Sequence, residues 1–169
     1  MKRIFTLLFS FCLLFSYYLP TEAKTPDSLT FTSTYTEYIS DDLYAEVKLC
    51  IISQNTNTKI PNSYSDVATT HASTKQKTAS KTYTIKNSVG TTIGSYTLIG
   101  TFQYNGSSSA CTKASYSTSV FNSNCYFNSS SASKSGNNAI GSFNFFNSLT
   151  GTRISKILTL KCSANGTIQ

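Results

Sequence analysis

Residues 93–104 read IGSYTLIGTFQY, and this stretch decides the fold. Its alternate positions carry the large or closely packing residues, namely Tyr96, Leu98, Gly100, Phe102 and Tyr104. Side chains two positions apart lie on the same face of an extended chain, so the alternation predicts a β-strand with one buried face. The small-residue runs SVGT before it and NGSSS after it are typical of turns.

The same pattern of strand and turn recurs along the rest of the chain. The segments are KTYTIKN (81–87), CTKASYSTSVF (111–121), CYFNSSSAS (125–133), AIGSFNFF (139–146) and RISKILTLKC (153–162). The side chains predicted to face the core are Tyr83, Ile85, Ala114, Tyr116, Thr118, Val120, Ala139, Phe143, Phe145, Ile154, Leu158 and Leu160. Short strands with turns between them predict an all-β fold: an antiparallel β-sandwich, immunoglobulin-like or with a similar Greek-key or meander topology.

The segment LYAEVKLCI, residues 43–51, also alternates and predicts a half-buried strand. The residues that follow are polar and rich in Ser, Thr and Asn, which favours a linker or a long loop. We therefore predict an N-terminal strand segment at 24–52, a polar linker or long loop at 53–80, and the sandwich domain at 81–169.

The first 23 residues have the order of a secretory signal peptide. Lys2 and Arg3 precede an uncharged, mostly apolar run, and Pro20 and Ala23 mark a cleavage region. An uncleaved anchor is the alternative, but the run is shorter than the ~20 residues that a membrane span needs. This predicts a secreted protein, free or loosely attached to the cell wall, with no stable membrane span after cleavage.

Four cysteines follow the predicted signal: Cys50, Cys111, Cys125 and Cys162. An even number in an exported chain indicates disulfides, and four cysteines allow three pairings. Cys162 shares its predicted face with Leu158 and Leu160, and a bond to Cys111 would close a loop of about 52 residues, contributing roughly 4 kcal/mol. The remaining pair would then be Cys50 and Cys125.

No two cysteines have zinc-ligand spacing and the single histidine, His71, lies in the predicted linker, so we predict neither a metal nor a cofactor.

Charge is distributed unevenly along the chain. The acidic residues after the predicted signal are Asp27, Glu37, Asp41, Asp42, Glu46 and Asp66, and residues 67–169 contain none. Few residues could therefore form the paired carboxylates of a glycoside hydrolase or the acid of a Ser-His-Asp triad. Ser and Lys are too abundant for a catalytic Ser–Lys pair to be recognised. The sequence predicts no catalytic residue and no enzyme. Lysines dispersed over residues 75–161 suit an acidic partner or serve solubility.

Three segments carry a resemblance: residues 77–120, SSASKSGNNAIGSF (130–143) and LTLKCSANGTI (158–168). Over about residues 77–169 the chain resembles a family of small exported proteins of Gram-positive gut and anaerobic bacteria. The resemblance implies a Cys111–Cys162 bond, because the two cysteines of that family match these positions. Cys50 and Cys125 depart from the family pattern, so their pair is a local addition. The resemblance implies no activity.

Aromatic and amide side chains suggest one type of binding. Exposed rings can stack on sugars, and Tyr126 is the residue that we expect to be exposed and available for a glycan contact. Dispersed lysines in an exported chain argue against nucleic acid as a partner. We therefore predict a secreted, non-catalytic binding or surface-interaction module for an anionic or glycan partner, such as a cell-wall polymer or a host glycan. A secreted antagonistic factor, similar to a bacteriocin, is the alternative, and an enzyme ranks third.

Overall fold

The structure is a computed structural model of the chain, and it describes residues 30–55 and 74–169. The predicted signal peptide, residues 1–23, lies outside the described residues, as do His71 and the middle of the predicted linker. None of the described residues forms a helix long and apolar enough to cross a membrane.

Eight strands form two antiparallel sheets. The strands are β1 (Thr30–Ser40), β2 (Leu43–Asn55), β3 (Lys75–Asn87), β4 (Thr92–Tyr104), β5 (Ser109–Val120), β6 (Cys125–Ser135), β7 (Asn138–Asn147) and β8 (Thr152–Lys161). Strands β1 to β5 form a larger sheet in sequence order, and β6 to β8 form a smaller one. Each strand within a sheet pairs with its neighbours in the sequence. The prediction of an all-β, antiparallel fold is confirmed.

The segment predicted as a linker at 53–80 is strand at both ends. Strand β2 continues to Asn55, and β3 begins at Lys75 and pairs with it. The N-terminal strands β1 and β2 therefore belong to the same sheet as β3. Polar residues suit these positions because the outer face is solvated: Thr78 and Thr101 hydrogen-bond through their hydroxyls there, at 3.2 Å. The polar composition of these strand ends therefore led to the prediction of a linker instead of strands.

The buried side chains come from the inner faces of both sheets. The predicted core residues of β3, β4, β7 and β8 are buried, among them Tyr83, Tyr96, Phe102, Phe143, Leu158 and Leu160. The prediction was wrong for the C-terminal half of β5, where Tyr116, Thr118 and Val120 are exposed. Strand β5 is an edge strand of the larger sheet, so it has a neighbouring strand, β4, on one side only. Tyr116 is partly covered by the ring of Tyr96, on which it stacks with 5.6 Å between the ring centroids.

Two glycines allow the sheets to approach each other. A Cβ atom on Gly94 of β4 would lie 2.6 Å from the ring of Phe145 of β7. In the opposite direction, a Cβ atom on Gly141 of β7 would collide with the Tyr96 hydroxyl of β4 and lie 3.0 Å from Leu98. Each sheet thus seats one aromatic ring of the other sheet over bare backbone, so a larger residue at either glycine would force the ring out of its place.

Polar groups add further contacts between the sheets. The Tyr96 hydroxyl donates to the Ser131 carbonyl at 2.6 Å, and Lys81 donates to the Thr159 carbonyl at 3.0 Å. Lys156 of β8 forms an ion pair with Glu37 of β1. These contacts connect β1, β3 and β4 of the larger sheet to β6 and β8 of the smaller one.

Replacing Gly141 by alanine tests the close approach of the sheets. The added methyl group meets Tyr96, whose ring is held by Phe143 at 4.9 Å and whose hydroxyl is hydrogen-bonded. We expect Gly141→Ala to lower the free energy of unfolding by about 1 to 2 kcal/mol, measured by urea denaturation. The control Ser133→Ala, at an exposed position of β6, should change stability by less than about 0.5 kcal/mol. Equal stability of the two variants would contradict the packing described here.

Two buried tyrosines provide a second test because their hydroxyls differ in hydrogen bonding. The Tyr83 hydroxyl is buried without a hydrogen-bond partner among the described residues, and burial together with the nearby Glu37 carboxylate raises the pKa of Tyr83. We expect Tyr83→Phe to cost less than Tyr96→Phe, because the Tyr83 hydroxyl approaches the Glu37 carboxylate without a well-formed hydrogen bond. Tyr96→Phe loses its hydrogen bond to Ser131 and should cost about 1 kcal/mol. Thermal or urea unfolding measures both, and a larger loss for Tyr83→Phe would refute the assignment.

Candidate functional site: the outer face of the smaller sheet

Tyr126 lies on the outer face of the smaller sheet, as expected for a contact residue. It is the second residue of β6, and its side chain is 46 % exposed. The register aligns it with Phe146 of β7 and Arg153 of β8. We call these three side chains, Tyr126, Phe146 and Arg153, the aromatic row.

Direct contacts hold the aromatic row together. The rings of Tyr126 and Phe146 meet edge to face, with 5.4 Å between their centroids. The guanidinium group of Arg153 lies over the Phe146 ring, 4.6 Å from its centroid, in a cation–π contact. This stacking orients the guanidinium group while leaving its N–H groups at the surface, where they can donate to an oxyanion in pairs.

The charge of Arg153 is not balanced within its own sheet. Residues 67–169 contain no Asp or Glu, so β6, β7 and β8 carry no carboxylate side chain. Two ion pairs occur among the described residues, Lys86 with Glu46 and Lys156 with Glu37, and neither involves Arg153. The outer face of the smaller sheet is therefore electrostatically suited to a negatively charged ligand.

Small polar residues follow the aromatic row toward the middle of the sheet. Asn144 donates to the Ser155 hydroxyl at 2.8 Å, and Ser131 and Ser142 share a hydrogen bond of 2.8 Å. The short side chains leave a shallow depression of about 550 Å³, lined by Ser129, Ser142, Phe143, Asn144, Ser155, Lys156 and Ile157. The depression combines donors and acceptors on its floor with the aromatic row on one side, which is a suitable environment for a hydroxylated ring.

Sequence reasoning found Tyr126 but missed its two partners in the aromatic row. The alternation in β7 placed Phe143 and Phe145 on the buried face, which implies that Phe146 faces outward. However, the alternation does not reveal which residues of β6 and β8 lie beside Phe146. That information depends on strand register, and strand pairing fixes the register only in the folded protein.

The structure brings Cys111 and Cys162 to the same turn. The Cys111 N–H donates to the Gly136 carbonyl at 2.8 Å, and the Cys162 N–H donates to the adjacent Asn137 carbonyl at 3.1 Å. In addition, the Ser109 hydroxyl donates to the Cys162 carbonyl at 2.6 Å.

The predicted disulfide is absent from this structure, in which both thiols are free and buried. Burial raises the pKa of both thiols, and the neighbouring Cys111 raises that of Cys162 further. Raised pKa values keep the thiols protonated at neutral pH and so reduce their reactivity as nucleophiles.

Cys50 and Cys125 are the other predicted pair. Cys50 lies on the same face of β2 as Glu46 and Lys48, which is the outer face of the larger sheet. Cys125 is buried at the start of β6, opposite Asn147. In this structure both thiols are free, one on the outer face of β2 and the other buried at the start of β6, so their pairing stays a prediction.

The carboxylates of the described residues are dispersed. Glu37 and Glu46 form the two ion pairs, Asp41 accepts a hydrogen bond from Tyr38 at 2.7 Å, and Asp42 lines a cleft at one end of the sheets. No group of three or more His, Cys, Asp or Glu side chains that could hold a metal ion occurs among residues 30–55 and 74–169.

Comparisons of the chain with protein-family models, with characterised proteins and with solved structures found no match. The geometry and charge of the sites themselves are therefore the basis for a proposed function, and the resemblance to small exported bacterial proteins stays a prediction.

Proposed function

We propose that the protein is a secreted, non-catalytic binding module that holds an anionic glycan on the outer face of its smaller sheet. The observation that carries this proposal is the placement of Arg153 over Phe146, whose ring also contacts Tyr126 on its other side, in a sheet without any carboxylate side chain. Acidic cell-wall polymers and acidic host glycans both supply the required chemistry.

Each part of the site contributes a different element of recognition. The exposed Tyr126 ring offers an apolar face on which a sugar ring can stack. Arg153 offers paired N–H donors for a carboxylate, sulfate or phosphate group, and charge-assisted hydrogen bonds of this type are about twice as strong as neutral ones. The Asn144 and Ser155 side chains offer polar groups to the sugar hydroxyls. An anionic glycan uses all three elements, whereas a neutral sugar leaves Arg153 without a counter-charge.

The proposal also covers the fold and how it is stabilised outside the cell. We propose that the two sheets form a β-sandwich with meander connections, and that oxidation outside the cell joins Cys111 to Cys162. Two sulfurs form one bond, and two protons and two electrons pass to an external oxidant. The two peptide groups that bind neighbouring carbonyls of one turn support this pairing, because a disulfide requires Cα atoms within about 7 Å.

Binding to charged and neutral polymers of one backbone tests the proposed function. We expect retention on immobilised dextran sulfate but not on dextran, and weaker retention as the salt concentration rises, because salt screens surface charges. Arg153→Gln should weaken binding by about tenfold or more, since it removes a charge-assisted contact. Tyr126→Ala should weaken binding by a smaller factor, and Tyr126→Phe should not weaken it.

The control for charge is Lys113→Gln, which removes one positive charge from the exposed surface of β5 in the other sheet. If Lys113→Gln and Arg153→Gln weaken retention equally, the attraction comes from net charge alone and the site is wrong. Equal retention on dextran and dextran sulfate would also overturn the proposal.

The proposed disulfide has its own test. Air-oxidised, purified protein should be lighter by two hydrogen atoms than the reduced form, and proteolysis should yield one cross-linked peptide pair containing Cys111 and Cys162. Stability should fall by roughly 4 kcal/mol when the bond is reduced, according to the loop-entropy model. The variant Cys50→Ser should keep the oxidised mass difference and the stability. Finding Cys111 alkylated in the oxidised protein would refute the pairing.

A further inference from the structure

Four strand connections meet at one end of the two sheets. They are residues 41–42, 88–91, 121–124 and 148–151, and we call this region the loop end. Backbone hydrogen bonds join two of them and attach one to the start of β4: the Ser148 N–H donates to the Asn124 carbonyl at 2.8 Å, and the Phe121 N–H donates to the Ile93 carbonyl at 3.1 Å. The loop end is therefore a connected surface supported by both sheets.

A cleft of about 220 Å³ opens at the loop end. Its polar lining includes Asp42, Asn87, Asn122, Asn147, Thr150 and Thr152, and Leu43 and Ile93 form an apolar floor. A cavity of about 150 Å³ can hold one benzene ring, so the cleft has the size for a single six-membered ring rather than for a longer oligosaccharide.

Local hydrogen bonds fix the orientation of three amide side chains in the cleft. Asn87 Oδ1 accepts from the Thr91 N–H at 2.8 Å, and Asn122 Oδ1 accepts from the Asn124 N–H at 2.9 Å. Asn147, which is buried, accepts from the Leu149 N–H at 3.0 Å in the same way. Each oxygen already accepts one backbone hydrogen bond, and the Nδ2 groups are the donors that these side chains can offer to a ligand. The amides therefore act as oriented donors.

Asp42 complements these donors with an acceptor. It is the only carboxylate in the lining of the cleft, and neither ion pair of the described residues involves it. A carboxylate accepts hydrogen bonds from two neighbouring hydroxyl groups, and it repels a ligand that is itself negatively charged. The cleft thus differs in charge preference from the aromatic row.

Phe121 adds an exposed apolar side chain to the loop end. Its side chain is 65 % exposed, although it adjoins Asn122 of the lining. Leu149 and Val89, in two other connections of the loop end, are also exposed. Large apolar side chains are uncommon in turns, where polar residues and glycine prevail. An exposed ring at the loop end, next in sequence to a residue of a cleft with fixed donors and one acceptor, suits the two surfaces of a pyranose, which is apolar on its faces and polar at its edge.

We propose that the loop-end cleft binds one neutral sugar residue of hexose size. The Asp42 carboxylate accepts from two adjacent hydroxyls, the amides of Asn122 and Asn147 donate to sugar oxygens, and Phe121 stacks on the ring. The site shares no residue with the aromatic row, so this inference extends the proposed glycan binding without depending on Arg153.

Saturation-transfer NMR with single sugars tests the proposal. The probes are glucose, galactose, mannose and N-acetylglucosamine, with glucuronate as the anionic comparison. We expect transfer to at least one neutral sugar and weaker binding of glucuronate. Asp42→Asn should weaken the affinity for the sugar by about tenfold or more. Phe121→Ser, which changes an exposed side chain, should abolish the saturation transfer to the protons of the sugar ring.

The matched control is Asp41→Asn, which removes the same charge from the adjacent residue, whose carboxylate accepts from Tyr38 outside the cleft. This control should keep the affinity for the sugar, and so should Arg153→Gln. The proposal is overturned if no neutral sugar shows transfer, if glucuronate binds as well as the neutral sugars, or if Asp41→Asn weakens binding as much as Asp42→Asn. Because Arg153→Gln affects only the aromatic row, loss of dextran sulfate binding and loss of sugar binding are separable results.

Discussion

The structure depends on the reciprocal seating of aromatic rings over glycine backbone. Phe145 lies over Gly94 and Tyr96 lies over Gly141, so each sheet receives one ring of the other. This arrangement fixes which face of each strand points inward. Side chains alternate with a period of two, so a slip of one residue in β6 would bury Tyr126 and expose Phe127. The position of the aromatic row at the surface is thus a consequence of packing in the core.

The acidic residues, which are confined to one part of the sequence, are also confined to one part of the folded structure. The acidic residues Glu37, Asp41, Asp42 and Glu46 lie on β1, on β2 and in their connection, whereas the smaller sheet has none. The pair of Glu37 with Lys156 is where the two regions meet. Arg153 therefore faces solvent in a sheet without acids, while Asp42 lies at the loop end. One molecule consequently offers a cationic surface and a cleft with a single carboxylate.

Sequence alternation was sufficient to predict the strands from Lys81 onward and most of their buried faces. It failed where a strand is polar on its solvated side, as at Lys75–Ser80, and where a strand lies at the edge of the wider sheet, as at Tyr116. The aromatic row and the loop-end cleft are assembled from residues distant in sequence. Both sites depend on strand register and on the meeting of four strand connections, which local sequence alternation does not predict.

The two sites lie close together because they use opposite faces of the same strand ends. Phe146 and Arg153 of the aromatic row adjoin Asn147 and Thr152, which line the cleft. Neighbouring residues of a strand are separated by about 3.3 Å along its axis and point to opposite faces. If both proposed sites bind one glycan, its chain would place a charged unit against Arg153 and a neutral unit in the cleft. Two weak contacts on one rigid support strengthen each other, because binding at the first raises the effective concentration at the second.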